Sequence, residues 1–139
     1  MTTEFSLDPR LLADSIALGA LPLCEVRLQN DVRYPWLVLV PQRTGVSELF
    51  DLSSTDQAQL LKEITLASAT LRDVSQCLKI NVGALGNIVR QLHIHIVARN
   101  EGDFAWPGPV WGAGARVPYA DAEKAALISR IKGALDLHG

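Results

Sequence analysis

The chain has little with which to cross-link, ligate or insert. Its two cysteines, Cys24 and Cys77, lie far apart, have no C-x-x-C partner and sit in apolar segments. They read as buried free thiols, so neither a disulfide framework nor a Cys-rich metal site is expected. No stretch reaches the ~18 apolar residues of a membrane span, and the beginning shows no basic region followed by an apolar run. Charge of one sign is also lacking. With Lys+Arg 13 against Asp+Glu 15, the net charge is -2, so bulk electrostatics draw the chain to neither nucleic acid nor a membrane surface. Repeats, low-complexity tracts and interdomain linkers are absent from the sequence pattern. A reducing, cytoplasmic setting is the expectation.

What is present is an ordinary globular balance, 48% hydrophobic and 20% charged over 139 residues, which fits a single domain spanning 1–139. Asp8-Pro9 supplies an N-cap acid and a proline at the first helical position, and Gly19 a stop, which predicts one short helix between them. Cys24, Val26 and Leu28 alternate with Glu25, Arg27 and Gln29, the period of a half-buried strand. Asn30-Asp31 is turn chemistry, and Trp36 to Val40 is an apolar run ending at Pro41, so the two strands are expected to pair as a hairpin. Ser54 with Gln57 suits a capping box, and Leu60, Ile64, Ala67, Leu71, Val74 and Leu78 recur at spacings of three and four. They predict the longest helix over about 54–77. A short strand over 78–83 and a glycine-bearing turn over 83–87 follow, then a strand from about Ile88 to Ala98. Residues 99–118, with Phe104, Trp106 and Trp111, read as an ordered aromatic loop. Asp121 is positioned to cap a last helix over about 120–138.

The strand Gln91-Leu92-His93-Ile94-His95-Ile96-Val97 holds two of the three histidines. Alternation sends Gln91, His93 and His95 to one face and Leu92, Ile94 and Ile96 to the other. A neutral histidine is a competent nucleophile toward phosphorus when an acceptor holds its second ring nitrogen. Two on one strand face stand roughly 6.6 to 6.8 Å apart along the chain, far enough to flank one phosphate. Gln91 can donate and accept but cannot titrate. Backbone N–H groups near Gly83 and Gly86 offer an anion-binding nest. On the motif alone, a half-exposed strand that happens to carry two histidines is an equally good account. H-x-H can also supply two metal ligands, but a tetrahedral site needs more, and His138 lies at the far end of the last helix.

The chain resembles the histidine-triad (HIT) family of nucleotide-processing proteins, whose motif His-φ-His-φ-His-φ-φ is similar to Gln91 to Val97 with its first histidine replaced. Asn81 with Gly86-Asn87, the run Trp36 to Arg43, Val46 to Leu49, Arg99 to Phe104 and Trp106-Pro107-Gly108 also have parallels there. The likeness covers about residues 20–108. It implies an α+β, HIT-like fold: an antiparallel sheet of about five strands, one long central helix and a C-terminal helix. It further implies a hydrolase or nucleotidyl transferase acting at the α-phosphate of a nucleoside monophosphate conjugate, a phosphoramidate or a dinucleoside polyphosphate, without a metal or other cofactor. By position, His93 would be the nucleophile and His95 a phosphate contact, with Gln91 at the first triad place. Asn87 and Asn81 would lie beside the phosphate, and Asn30 or Asp31 at the ribose hydroxyls. Phe5, Leu23, Val26 and the Trp106 to Trp111 loop are candidate walls for the base. Relatives pair as homodimers through the long helix and a sheet edge. Gln91, Ile88 and Thr44 depart from the family pattern, and Gln91 and Ile88 motivate the alternative, a nucleotide-binding module with weak or no turnover; a small domain acting through protein contacts alone is the third reading.

Overall fold

The structure, a computed structural model, describes residues 4–137; His138 lies outside them. Five strands form one antiparallel sheet: β1 (Ser15–Ala20), β2 (Cys24–Gln29), β3 (Trp36–Pro41), β4 (Lys79–Gly83) and β5 (Ile94–Arg99), in the order β1-β2-β3-β5-β4. Helix α1 (Pro9–Asp14) precedes the sheet, α2 (Ser54–Ser75) joins its two halves, and α3 (Asp121–Leu135) closes the chain. This is the α+β architecture the sequence predicts.

The sheet has two different faces. On one, Leu37, Leu39, Ile94, Ile96 and Ala98 pack with Leu60, Ala67 and Leu71 of α2 and Ile131 and Leu135 of α3. Burying each of those leucines contributes about 1.5–3 kcal/mol, and this apolar layer holds the domain together. On the other, Trp36, Val38, Val40 and Val97 pack with Leu11, Tyr34 and Val110, and no long helix covers them. Instead Phe5 and Leu7 before α1, and Ala105 and Trp111 of the aromatic loop, close over that face.

Five expectations need correction. The first helix ends at Asp14, and Ser15–Ala20 pair with β2 as an edge strand. Six helical residues are too few to be stable alone, whereas extending Ser15 onward forms a ladder and buries Leu18. Gly19 therefore marks the irregularity between Ala17 and Gly19 rather than a helix stop. The long helix is capped one residue earlier than expected, by Ser53, whose hydroxyl accepts from the Asp56 N–H at 3.1 Å; Leu78 falls outside it and is exposed. Ala120, not Asp121, is the N-cap of α3. Finally, β5 begins at Ile94, so residues 88–93 are not strand. Arg27 is likewise buried rather than solvent-facing, because its guanidinium donates to the Ser15 hydroxyl and carbonyl and meets Glu25.

Cys24 and Cys77 are buried and free. Beside Cys24 lies Glu63 of α2, 2% exposed, whose carboxylate accepts from the N–H groups of Leu23 and Cys24 at 2.8 Å each. This bond pair ties the helix to the start of β2. Glu63→Ala leaves both donors buried and unmet, and is expected to lower stability by about 2–4 kcal/mol, read as a fall in urea midpoint at unchanged m value.

Candidate functional site

His95 stands on β5 opposite Val38 of β3 and Gly83 of β4, which fixes it on the face away from α2. His93 precedes the strand, and its ring lies edge-on to that of His95 at a centroid distance of 4.9 Å. Both are buried. Each ring has its Nδ1 occupied, and by opposite kinds of partner. His93 Nδ1 lies 2.7 Å from the Gln91 carbonyl, which can only accept, so Nδ1 carries the hydrogen and Nε2 the lone pair. His95 Nδ1 lies 3.0 Å from the indole Nε1 of Trp36, which can only donate, so a neutral His95 carries its hydrogen on Nε2. Burial, with the nearby His93 adding to it, pushes the His95 pKa down to about 4. His95 is thus a neutral donor at physiological pH beside a histidine with a free basic nitrogen.

His93 lines an open cleft of about 410 Å³. Trp36 and Trp111 supply aromatic wall, Leu85, Ile88 and Val89 the apolar lip, and Asp31, Arg33 and Arg116 the polar end. Asp31 is almost fully buried; although burial raises its carboxyl pKa, the stronger sum of bonds from Arg33 and the Val117 N–H holds it below the usual range. Arg33 also lies over the rings of Phe104 and Tyr34. Trp111 reaches His95, ring centroids 5.6 Å apart, because position 83 is glycine: a Cβ there would stand 2.9 Å from the indole. Gly83 is therefore a strand residue serving close approach, while Gly86, at φ +70°, forms the turn beside the cleft.

Of the residues singled out by sequence, His93, Asp31 and Asn87 line this cleft, with His95 behind His93. Three others do not line it. Asn30 Oδ1 accepts from the Tyr119 N–H, Asn81 Oδ1 accepts from Arg99, and the Gln91 carboxamide bonds the segment before α1. Phe5 packs on the histidine face, whereas Leu23 and Val26 belong to the core under α2. Sequence reasoning missed Trp36 as the partner of His95, and Arg33 and Arg99. Arg99 is 1% exposed, bonds Asp103 and Asn81, and stacks near Tyr34 and Trp106, pinning the aromatic loop. An arginine ending a buried strand four residues before an aspartate was the available signal. Among the described residues no three of His, Cys, Asp or Glu converge as around a metal ion, and no helix is long and apolar enough to cross a membrane.

A five-stranded antiparallel sheet carrying two histidines on β5 and its approach defines a small α+β domain of histidine-triad type. The chain belongs to the HIT family: the HIT domain model matches residues 11–102. Among solved structures, it is similar to a histidine triad (HIT) protein of Sinorhizobium meliloti 1021, at 52% identity over 94% of this chain and 97% of that one, TM-score 0.92. It is also similar to histidine triad proteins of Bradyrhizobium japonicum (44% identity, 96% and 99% covered, TM-score 0.94) and Marinobacter aquaeolei VT8 (41%, 96% and 98%, 0.94). No protein with a curated description matches it.

The buried His95 links the site to stability. It binds its proton near pH 4 in the folded chain but at 6.5 when freed. Between those values the unfolded state holds more protons, so stability is full above about pH 6.5 and falls as pH drops toward 4, by on the order of 3 kcal/mol. Urea unfolding across pH 4 to 7 is expected to show this slope, and His95→Gln to remove that part of it.

Proposed function

We propose that the protein is a nucleotide-binding hydrolase or nucleotidyl transferase that attacks the α-phosphate of a nucleoside monophosphate conjugate through His93. The observation that carries this reading is the 2.7 Å contact of His93 Nδ1 with the Gln91 carbonyl, which leaves Nε2 as the nucleophilic nitrogen of a residue lining the cleft. Nε2 forms a bond to phosphorus while the bond from phosphorus to the leaving nitrogen or oxygen breaks, and the leaving group takes a proton from solvent water, which the later hydrolysis step returns. Water then attacks the phosphorus of the nucleotidyl-histidine, releasing the nucleoside monophosphate and restoring His93. His95 donates from Nε2 toward the phosphoryl oxygens, where negative charge develops. Asn87 and Asp31, both in the cleft lining, suit the phosphate and ribose roles, and the two indoles suit a base. Adenosine phosphoramidates and dinucleoside polyphosphates are the substrate classes of choice, with no cofactor required.

A second reading, a nucleotide-binding module with weak turnover, is favoured by Gln91, which cannot titrate and whose carboxamide is already bonded to Ser6 and Asp8. The same pocket serves both. We further read the protein as a cytoplasmic homodimer. The free thiols suit a reducing compartment, and the edge strand β4 with exposed Val82, together with exposed Leu61 and Leu66 of α2, suits a partner copy.

With a fluorogenic adenosine phosphoramidate and a diadenosine polyphosphate, His93→Ala is expected to lose at least about a thousandfold in kcat, and rapid quenching of the wild type to trap a nucleotidyl adduct on His93. Wild-type turnover equal to that of the variant overturns the enzyme reading, and retained nucleotide binding in calorimetry then supports the module. Sedimentation equilibrium is expected to give twice the chain mass, and Val82→Asp to reduce it to one.

A further inference from the structure

The segment that carries the nucleophile has unusual support. Residues 88–93 lie outside any strand, so no ladder fixes them. Besides the packing of Val89 and Leu92, they are held by hydrogen bonds from elsewhere: Arg10 donates to the Ile88 carbonyl at 3.1 Å, the Leu92 N–H donates to the Val46 carbonyl at 3.0 Å, and Gln91 is bonded through its side chain. The Gln91 carboxamide is used at both ends. Its Oε1 accepts from the Asp8 N–H at 2.8 Å, and its Nε2 donates to the Ser6 carbonyl at 2.9 Å. The backbone carbonyl of the same residue is the acceptor that holds His93 Nδ1.

We propose that Gln91 is a positioning residue: its carboxamide latches the segment before α1 across the histidine face and thereby fixes the carbonyl that sets the tautomer of His93. A side chain bonded at both its oxygen and its nitrogen cannot rotate without breaking a bond, and with it the peptide plane that follows is held. The latched segment brings Phe5 and Leu7 onto the cluster around Trp36 and Val97, so the latch also keeps the cover over that face in place. Asp8, which follows in the segment and caps α1, lies close enough to His93 for the two to interact electrostatically, the weakest of the influences that lower its carboxyl pKa, after the bonds from Arg10. A neutral histidine at position 91 also offers one donor and one acceptor, but from nitrogens that diverge on opposite edges of a ring, so it does not reproduce the carboxamide's approach to a carbonyl and an N–H two residues apart. The glutamine is therefore a replacement with its own purpose.

This inference rests on His93 being the nucleophile, and the experiment separates the two. Gln91→Met keeps length and removes both bonds; Gln91→His restores the family residue. In Gln91→Met, amide exchange at Leu7 and Asp8 is expected to quicken at least about tenfold, the loss of a hydrogen bond. The ¹⁵N shifts of the His93 ring are expected to move from a single Nδ1–H tautomer toward a mixture. On an adenosine phosphoramidate, kcat is expected to fall about 10- to 100-fold with KM nearly unchanged, and Gln91→His to show the same losses. Gln91→Glu keeps the acceptor for Asp8 and is expected to lie between, and it carries the test should Gln91→Met not fold. Wild-type exchange and an unchanged His93 tautomer in Gln91→Met overturn the latch, as does Gln91→His raising turnover with the segment still protected. Turnover unaffected by His93→Ala defeats the catalytic reading alone, since exchange and ¹⁵N shifts still judge the latch.

Discussion

Strand β5 is buried along its whole length on both faces, and the rest of the structure answers that constraint. Ile94, Ile96 and Ala98 meet it cheaply by packing into the layer under α2. His95 and Arg99 on the other face cannot. A buried polar group left unmet costs about 1–3 kcal/mol, more when charged. His95 accordingly takes the Trp36 indole N–H, and Arg99 takes Asp103 and Asn81 with two aromatic rings around it. These obligations draw β3, β4 and the aromatic loop to one place. The chemical properties of the site, a fixed tautomer and a neutral imidazole, are by-products of satisfying a buried strand.

Much of this was legible where one periodicity acts alone. The alternation of Cys24, Val26 and Leu28, the apolar run from Trp36, and the spacing of Leu60, Ala67 and Leu71 each have one physical explanation, and each element formed close to where they pointed. The errors fall where local and long-range terms compete. Asp8-Pro9 starts a helix as read, yet its continuation through Ser15 loses to pairing with β2, a partner invisible to capping rules. Gln91 looks like a strand residue by alternation, but its carboxamide finds Ser6 and Asp8, more than eighty residues earlier.

The candidate site was half legible for the same reason. Two histidines at a spacing of two must share a face if the strand is regular, and β5 with its approach brings the rings within 4.9 Å. Trp36 and Arg33 were not found, because their roles depend on register. That β3 rather than β1 neighbours β5, and that Val38 faces His95, decides that Trp36 reaches the imidazole. Strand order is a property of the whole chain, and neither composition nor spacing around Trp36 contains it.

The proximity of the two rings also divides their labour. Two imidazolium ions at this distance repel, and in a poorly solvated setting that repulsion is strong. Burial keeps His95, behind Trp36 and Trp111, neutral: its pKa falls to about 4. His93 borders the open cleft, its Nδ1 held by the Gln91 carbonyl. A neutral His95 supplies a hydrogen-bond donor beside His93 without adding a cation. The nearby arginines act in the same sense. Arg33 is bound to Asp31 and Arg116 to Asp14, so their charges are largely compensated before any anion arrives. The His93 ring thus neighbours a neutral imidazole and arginines already paired with carboxylates. Gln91, uncharged and bonded to Ser6 and Asp8, adds no further charge there.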